Sequence, residues 1–178
     1  MKIITVSGAF SGCGKTTFAR SLLSCLKGYA AIKVTTTDLF CKVTDSPEEI
    51  NVPGKDTALY KEAGAARVVW IQSPREELED SLAYALDMVG DVPGVVVEGN
   101  SPLKHINPDR AFFVMGGKME EIKPGAFAAL EKADVVVVNA EGGPTPGLAA
   151  AIREKNPHAE IVSMSALLKS EEKIARLI

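Results

Sequence analysis

A chain of 178 residues with a formal net charge of −3 has no basic excess with which to hold nucleic acid or an anionic membrane surface. Its apolar runs fall far short of the roughly 20 residues a spanning helix needs, and its three cysteines, Cys13, Cys25 and Cys41, make no C-x-x-C pair of the kind that marks a zinc site. His105 and His158 are the only histidines, which excludes a histidine-rich metal cluster, and the length suits one domain over residues 1–178. The chain runs from Met1-Lys2 straight into Lys2–Ser7, a strand-like stretch without a charged leader and cleavable apolar segment, so a cytoplasmic protein is expected.

The next residues, Ala9-Phe10-Ser11-Gly12-Cys13-Gly14-Lys15-Thr16 and then Thr17, fit the phosphate-binding pattern G-x-x-x-x-G-K-[ST] with alanine in the first glycine position. A loop that wraps a polyphosphate turns its backbone N–H groups inward, which requires absent or small side chains, as at Ser11, Gly12, Cys13 and Gly14. Lys15 adds a compact positive charge at the outer phosphates, and the Thr16 hydroxyl is placed for Mg2+. Phe18, Leu22, Cys25 and Leu26 follow at helical spacing, so the helix offers its unpaired N–H groups to the same anion, with Cys25 at a core position. Cys13 reads as a small tolerated side chain inside the loop rather than an oxidation-sensitive thiol.

Tyr29–Thr36 reads as a second strand that carries Lys33 inside an apolar run, either snorkelling from a sheet edge or reaching a ligand. Asp38 follows at its carboxyl end, where an acid can reach Mg2+ or an attacking group. Leu39–Asp56 holds turn formers and a possible capping box at Ser46-Pro47-Glu48-Glu49, and is expected to be a mobile excursion. A helical stretch from Pro53 places Leu59 and Ala63 on one face. Ala66–Gln72 is a third strand with Trp70 as a core aromatic. A helix is predicted to begin at Ser73-Pro74-Arg75-Glu76, with the serine as its cap. Pro93–Asn100 reads as a strand buried on both faces, delivering Glu98 at its carboxyl end as a second acid for metal or water. Arg110–Met115, Ala133–Asn139 and Glu160–Met164 are predicted strands, and Pro124–Lys132, Pro144–Asn156 and Ser170–Ile178 predicted helices. Strand and helix alternate with short connections, so the expected fold is α/β, with three layers and a mostly parallel sheet flanked by helices.

The phosphate loop, Ile32-Lys33-Val34-Thr35-Thr36-Thr37-Asp38, Pro53-Gly54-Lys55-Asp56-Thr57 with Ala63-Gly64-Ala65, and Val97-Glu98-Gly99 together resemble the MobB family. These are molybdopterin-guanine dinucleotide biosynthesis adaptor proteins, P-loop GTPases. The resemblance covers about the first hundred residues. It departs from the family at Thr35-Thr36-Thr37, where histidines are expected near the strand end. Further on, Asn139-Ala140-Glu141-Gly142 stands where related GTPases carry N-K-x-D, and Ser165-Ala166-Leu167 resembles their S-A-K element. The resemblance thus implies that Asn139, Ser165 and Ala166 lie at the base. The aspartate that pairs with guanine is absent and Glu141 comes one residue early, so the nucleotide stays open between GTP and ATP.

Three functions follow as expectations. The first is a MobB-like protein that binds a nucleoside triphosphate with Mg2+ and hydrolyses it slowly as an accessory in molybdenum cofactor biosynthesis, helped by a partner protein or homodimerisation. In it Lys15, Asp38 and Glu98 are catalytic, and Thr16, Asp38 and Glu98 hold the metal. The second is an ATP-dependent small-molecule kinase or ligase whose acceptor pocket is lined by Lys33, Lys55 and Asp56. The third is a nucleotide-switched accessory or metallochaperone, with residues 39–56 changing shape.

Overall fold

Strands whose residues are apolar at every position cannot keep one face in water, so both faces of their sheet must be covered. Val135–Val138 and most of Gly94–Glu98 are of this kind, and in the computed structural model, which describes residues 1–178, they lie with six other strands in one sheet. The eight strands are β1 (Lys2–Gly8), β2 (Ala30–Thr36), β3 (Lys42–Thr44), β4 (Val68–Ser73), β5 (Gly94–Glu98), β6 (Arg110–Met115), β7 (Val135–Val138) and β8 (Glu160–Ser163). Their order is β3-β4-β2-β5-β1-β6-β7-β8. Every pairing is parallel except the edge strand β3 against β4.

The helices are α1 (Lys15–Cys25), α2 (Pro47–Ile50), α3 (Asp56–Glu62), α4 (Leu78–Val89), α5 (Phe127–Glu131), α6 (Pro146–Lys155), α7 (Met164–Leu167) and α8 (Glu171–Ala175). Side chains alternate across the sheet. Phe112 and Val114 of β6 join Phe18 and Leu22 of α1 on one face, together with residues of α3, α7 and α8. Ala111, Phe113 and Met115 point the other way, to α5 and α6. Beside them α4 covers β2, β4 and β5 on that second face through Leu78, Leu82, Ala85 and Val89. Phe18 and Phe112 are fully buried, their ring centroids 5.0 Å apart, and each such side chain stabilises the fold by about 1.5–3 kcal/mol. This is the three-layer, mostly parallel architecture expected, and no helix is long and apolar enough to cross a membrane.

Several local expectations are corrected. Residues 39–56, expected to be a mobile excursion, contain the strand β3 and the short helix α2. Ser46 is the N-cap residue of α2 without bonding its backbone, because its hydroxyl goes to Glu48, while Glu49 is held by Lys42 and Thr44. Ser73 does not cap α4. It ends β4, its hydroxyl accepts from Ser81 at 3.2 Å, and the helix starts later with Glu77 at the cap position. Trp70, within β4, is half-buried and packs against the core only in part, as does Cys25. Pro124–Ala126 is a 3-10 turn ahead of α5, and the short α7 was not anticipated.

Candidate functional site

β1 lies between β5 and β6, so the chain leaves it toward β2 on one side of the sheet while β6 lies on the other. At such a switch point a crevice opens beyond the carboxyl ends of the strands. The loop Ala9–Gly14 sits there, and α1 begins at Lys15. Gly14 has φ +107°, a conformation that side chains disfavour, and a Cβ on it would lie 2.7 Å from the Asn139 amide nitrogen. Two asparagines hold the loop from below. Asn100 clamps Gly8, accepting from its N–H at 2.7 Å and donating to its carbonyl at 2.8 Å. Asn139 donates to the Cys13 carbonyl at 3.0 Å.

A polar cavity of about 300 Å³ lies above the loop, lined by Ser11, Gly12, Gly14, Lys15, Thr16 and Thr17 together with Lys33, Asp56 and Glu98. No apolar side chain lines it. Lys15 Nζ donates to the Phe10 carbonyl at 3.0 Å, so its charge is folded over the loop. Cys13 is buried, with its thiol turned away from the cavity to the Val114 carbonyl at 3.3 Å.

Behind the cavity is a charge cluster. Lys33 Nζ lies 2.6 Å from Asp56 and 2.8 Å from Glu98. Because β2 is flanked by β4 and β5, Lys33 is not at a sheet edge, and the snorkelling alternative fails. Burial pushes its ammonium pKa down, but the Glu98 charge and the hydrogen bonds to Asp56 and Glu98 outweigh that, and the net shift is upward. Burial likewise pushes Asp56 up, yet Lys33, with smaller help from Thr16 and Lys15, holds its carboxyl below the ordinary carboxylate range. The Glu98 side chain is only 2% exposed. It accepts from Lys33, from Thr16 Oγ1 at 3.3 Å and from the Tyr60 hydroxyl.

The structure therefore gathers Ser11 through Thr17 and Glu98 in one place. Asp38 is exposed past the end of β2 and does not line the cavity; Asp56, expected only as an acceptor-pocket residue, lies there instead. Ser165 and Ala166 sit in α7, which adjoins the loop through Met164, and the Ser165 hydroxyl bonds Ser163. Tyr60 and Asn100 were not anticipated. The one signal for Tyr60 is its i, i+4 spacing from Asp56, which puts both on one face of α3. The hydroxyl of Thr16 and the carboxylates of Asp56 and Glu98 are hard oxygen donors of the type that Mg2+ takes, and Lys15 beside bare loop amides suits phosphate oxygens. The residues present thus fit both groups.

Residues 3–107 match the family described as molybdopterin guanine dinucleotide synthesis protein B. No curated protein matches the chain. Among solved structures, a zinc-bound triple mutant of the YjiA GTPase is similar with a TM-score of 0.57 at 17% identity, over 92% of this chain and 57% of that one. A LAO/AO transport system kinase has a TM-score of 0.54 at 18% identity, over 99% and 57% of the two chains. The zinc-bound YjiA GTPase from E. coli has a TM-score of 0.53 at 18% identity, over 90% and 56%. At these identities the likeness is one of fold, and the chain spans under three fifths of each of these proteins.

Proposed function

Because the chain belongs to the molybdopterin guanine dinucleotide synthesis protein B family, we propose that it binds a nucleoside triphosphate, GTP or ATP, with Mg2+ and hydrolyses it slowly as an accessory in molybdenum cofactor biosynthesis. The observation that carries the reading is the convergence of Lys15, Thr16, Asp56 and Glu98 on one cavity walled by the glycine-rich loop. Residues 1–178 act as a single unit in this reading.

Lys15 moves its donors from the Phe10 carbonyl to the outer phosphate oxygens, while the amides of residues 11–16 hold the rest of the polyphosphate. Thr16 and Asp56 would hold Mg2+, with Glu98 behind them. The ion, when bound, neutralises charge that builds on the phosphate oxygens. Glu98 fixes the Thr16 hydroxyl, and Lys33 and Tyr60 fix Glu98, so the metal-facing oxygens are set before a ligand arrives. Asp56 is the more exposed of the two carboxylates and is the one placed to orient water. Asp38 has no part in this scheme. Asn139 braces the loop on the side where Ser165 and Ala166 would meet the base.

Calorimetry with non-hydrolysable GTP and ATP analogues, with and without Mg2+, tests the proposal. Tighter binding with Mg2+ is expected. Lys15→Ala removes at least one charge-assisted hydrogen bond of about 1.5–3 kcal/mol, so affinity should fall by at least roughly 10- to 150-fold with an unchanged circular dichroism spectrum. Wild-type affinity in that variant would overturn the assignment.

A further inference from the structure

A second cavity, of about 320 Å³, adjoins the first. It falls at the small end of the roughly 300–1,000 Å³ range of ligand pockets. The two share Lys33 and Asp56, so whatever fills one lies against the contents of the other. Three separate parts of the chain build its walls: Lys33 and Thr35 from β2, Trp70 from β4, and the turn from Gly54 into the start of α3.

The lysines differ in their commitments. Lys33 is paired with two carboxylates. Lys55 has no carboxylate within ion-pair distance; its Nζ lies over the Trp70 ring, 4.7 Å from the centroid. The Trp70 indole N–H donates to Thr35 Oγ1 at 3.0 Å, which fixes the plane of the ring. A large aromatic side chain is thus held at the rim of the site, half-buried, with the exposed ammonium of Lys55 as its cover. Anions pair with such a cation, and flat rings stack on such a face.

We propose that this cavity is a second ligand subsite, taking a small aromatic anion whose charged group pairs with Lys55 and whose ring lies against Trp70, next to the phosphate end of the nucleotide. The adjacency rests on the nucleotide reading given above; the subsite itself does not. Lys55 is exposed, so its replacement leaves no buried gap, and it takes no part in the phosphate cavity.

Trp70 is the only tryptophan, so protein fluorescence reports from the wall of this subsite. The full-length protein, loaded with Mg2+ and a non-hydrolysable GTP analogue to fill the phosphate cavity, is titrated with phenyl phosphate, inorganic phosphate and benzyl alcohol. A saturable change with phenyl phosphate is expected, at least about tenfold tighter than with either fragment of it. Lys55→Ala should weaken phenyl phosphate by at least about tenfold while leaving nucleotide affinity within about twofold. The proposal is overturned by no saturable change, by an equal response to inorganic phosphate or to benzyl alcohol, or by indifference to Lys55→Ala. A phenyl phosphate signal seen with unloaded wild-type protein and absent from the loaded protein also overturns it, because the probe would then have occupied the phosphate cavity. The same titration on unloaded Lys15→Ala protein tests the subsite even where nucleotide binding fails, so the two readings fall separately.

Discussion

Lys33→Met is the sharpest test of how the site is held together. The substitution keeps the length of the stem and removes a charge lying 2.8 Å from Glu98, whose side chain is 2% exposed. A carboxylate left buried without its cation costs about 3–5 kcal/mol. The second arm, to Asp56, adds at most about 1 kcal/mol because that side chain is 38% exposed and water screens it. For a chain of this size each kcal/mol moves the melting temperature by about 2–4 °C, so Lys33→Met should melt about 6–24 °C below the wild type. Differential scanning calorimetry at pH 7.5 in metal-free buffer measures the drop, and Glu98→Gln with the double variant completes a cycle. The double variant, with neither charge, should melt well above Lys33→Met, with a coupling of at least about 2 kcal/mol. A drop under about 2 °C, or strictly additive effects, would refute the claim that this pair organises the site.

Asn100→Ala leaves both the N–H and the carbonyl of buried Gly8 unpaired, at about 1–3 kcal/mol each; a chevron or urea midpoint equal to that of the wild type would contradict this. Gly14→Ala forces a side chain into φ +107° and against the Asn139 amide, a strain of about 1–3 kcal/mol, and should also cut nucleotide affinity at least about tenfold by calorimetry. Asp56 has a lowered folded-state pKa, so its stabilisation is complete above the unfolded value of about 3.9 and is lost as the pH falls through the lower folded value. The melting-temperature gap between the wild type and Asp56→Asn should therefore hold from pH 5 to 7 and close below about pH 4; a gap that persists to pH 2 would show that charge is not its source.

Features with a local chemical signature were legible in the sequence. The phosphate loop is one, since spacing and residue type both follow from how a backbone wraps an anion. Glu98 at the end of a valine strand is another, and so is Lys33, conspicuous as a charge in an apolar run. What stayed hidden depends on neighbours brought together by the sheet. Asp56 reaches the loop only because α3 packs on the α1 face and β2 lies beside β5, and nothing near Asp56 in sequence announces that. Asp38 had the better local case, yet the chain turns outward after β2 to build the edge strand β3. Ser73 matched a helix-cap pattern but was claimed by Ser81 across the turn. Trp70 had the residue type of a core aromatic and the position of a rim one.

The place of β1 in the sheet bears on how this protein can be divided. The stretch that matches the family ends at residue 107, just before β6 begins at Arg110. A fragment cut there would strip the hydrogen-bonding partner from one whole side of β1 and bare the apolar faces of Phe18, Leu22 and Ile4 that Phe112 and Val114 cover. The phosphate loop would then hang from an unprotected edge, the geometry that invites strands of other molecules to pair, and would lose the Asn139 brace beneath Cys13. The stretch that matches the family holds the loop, and the stretch beyond it holds the loop's sheet together.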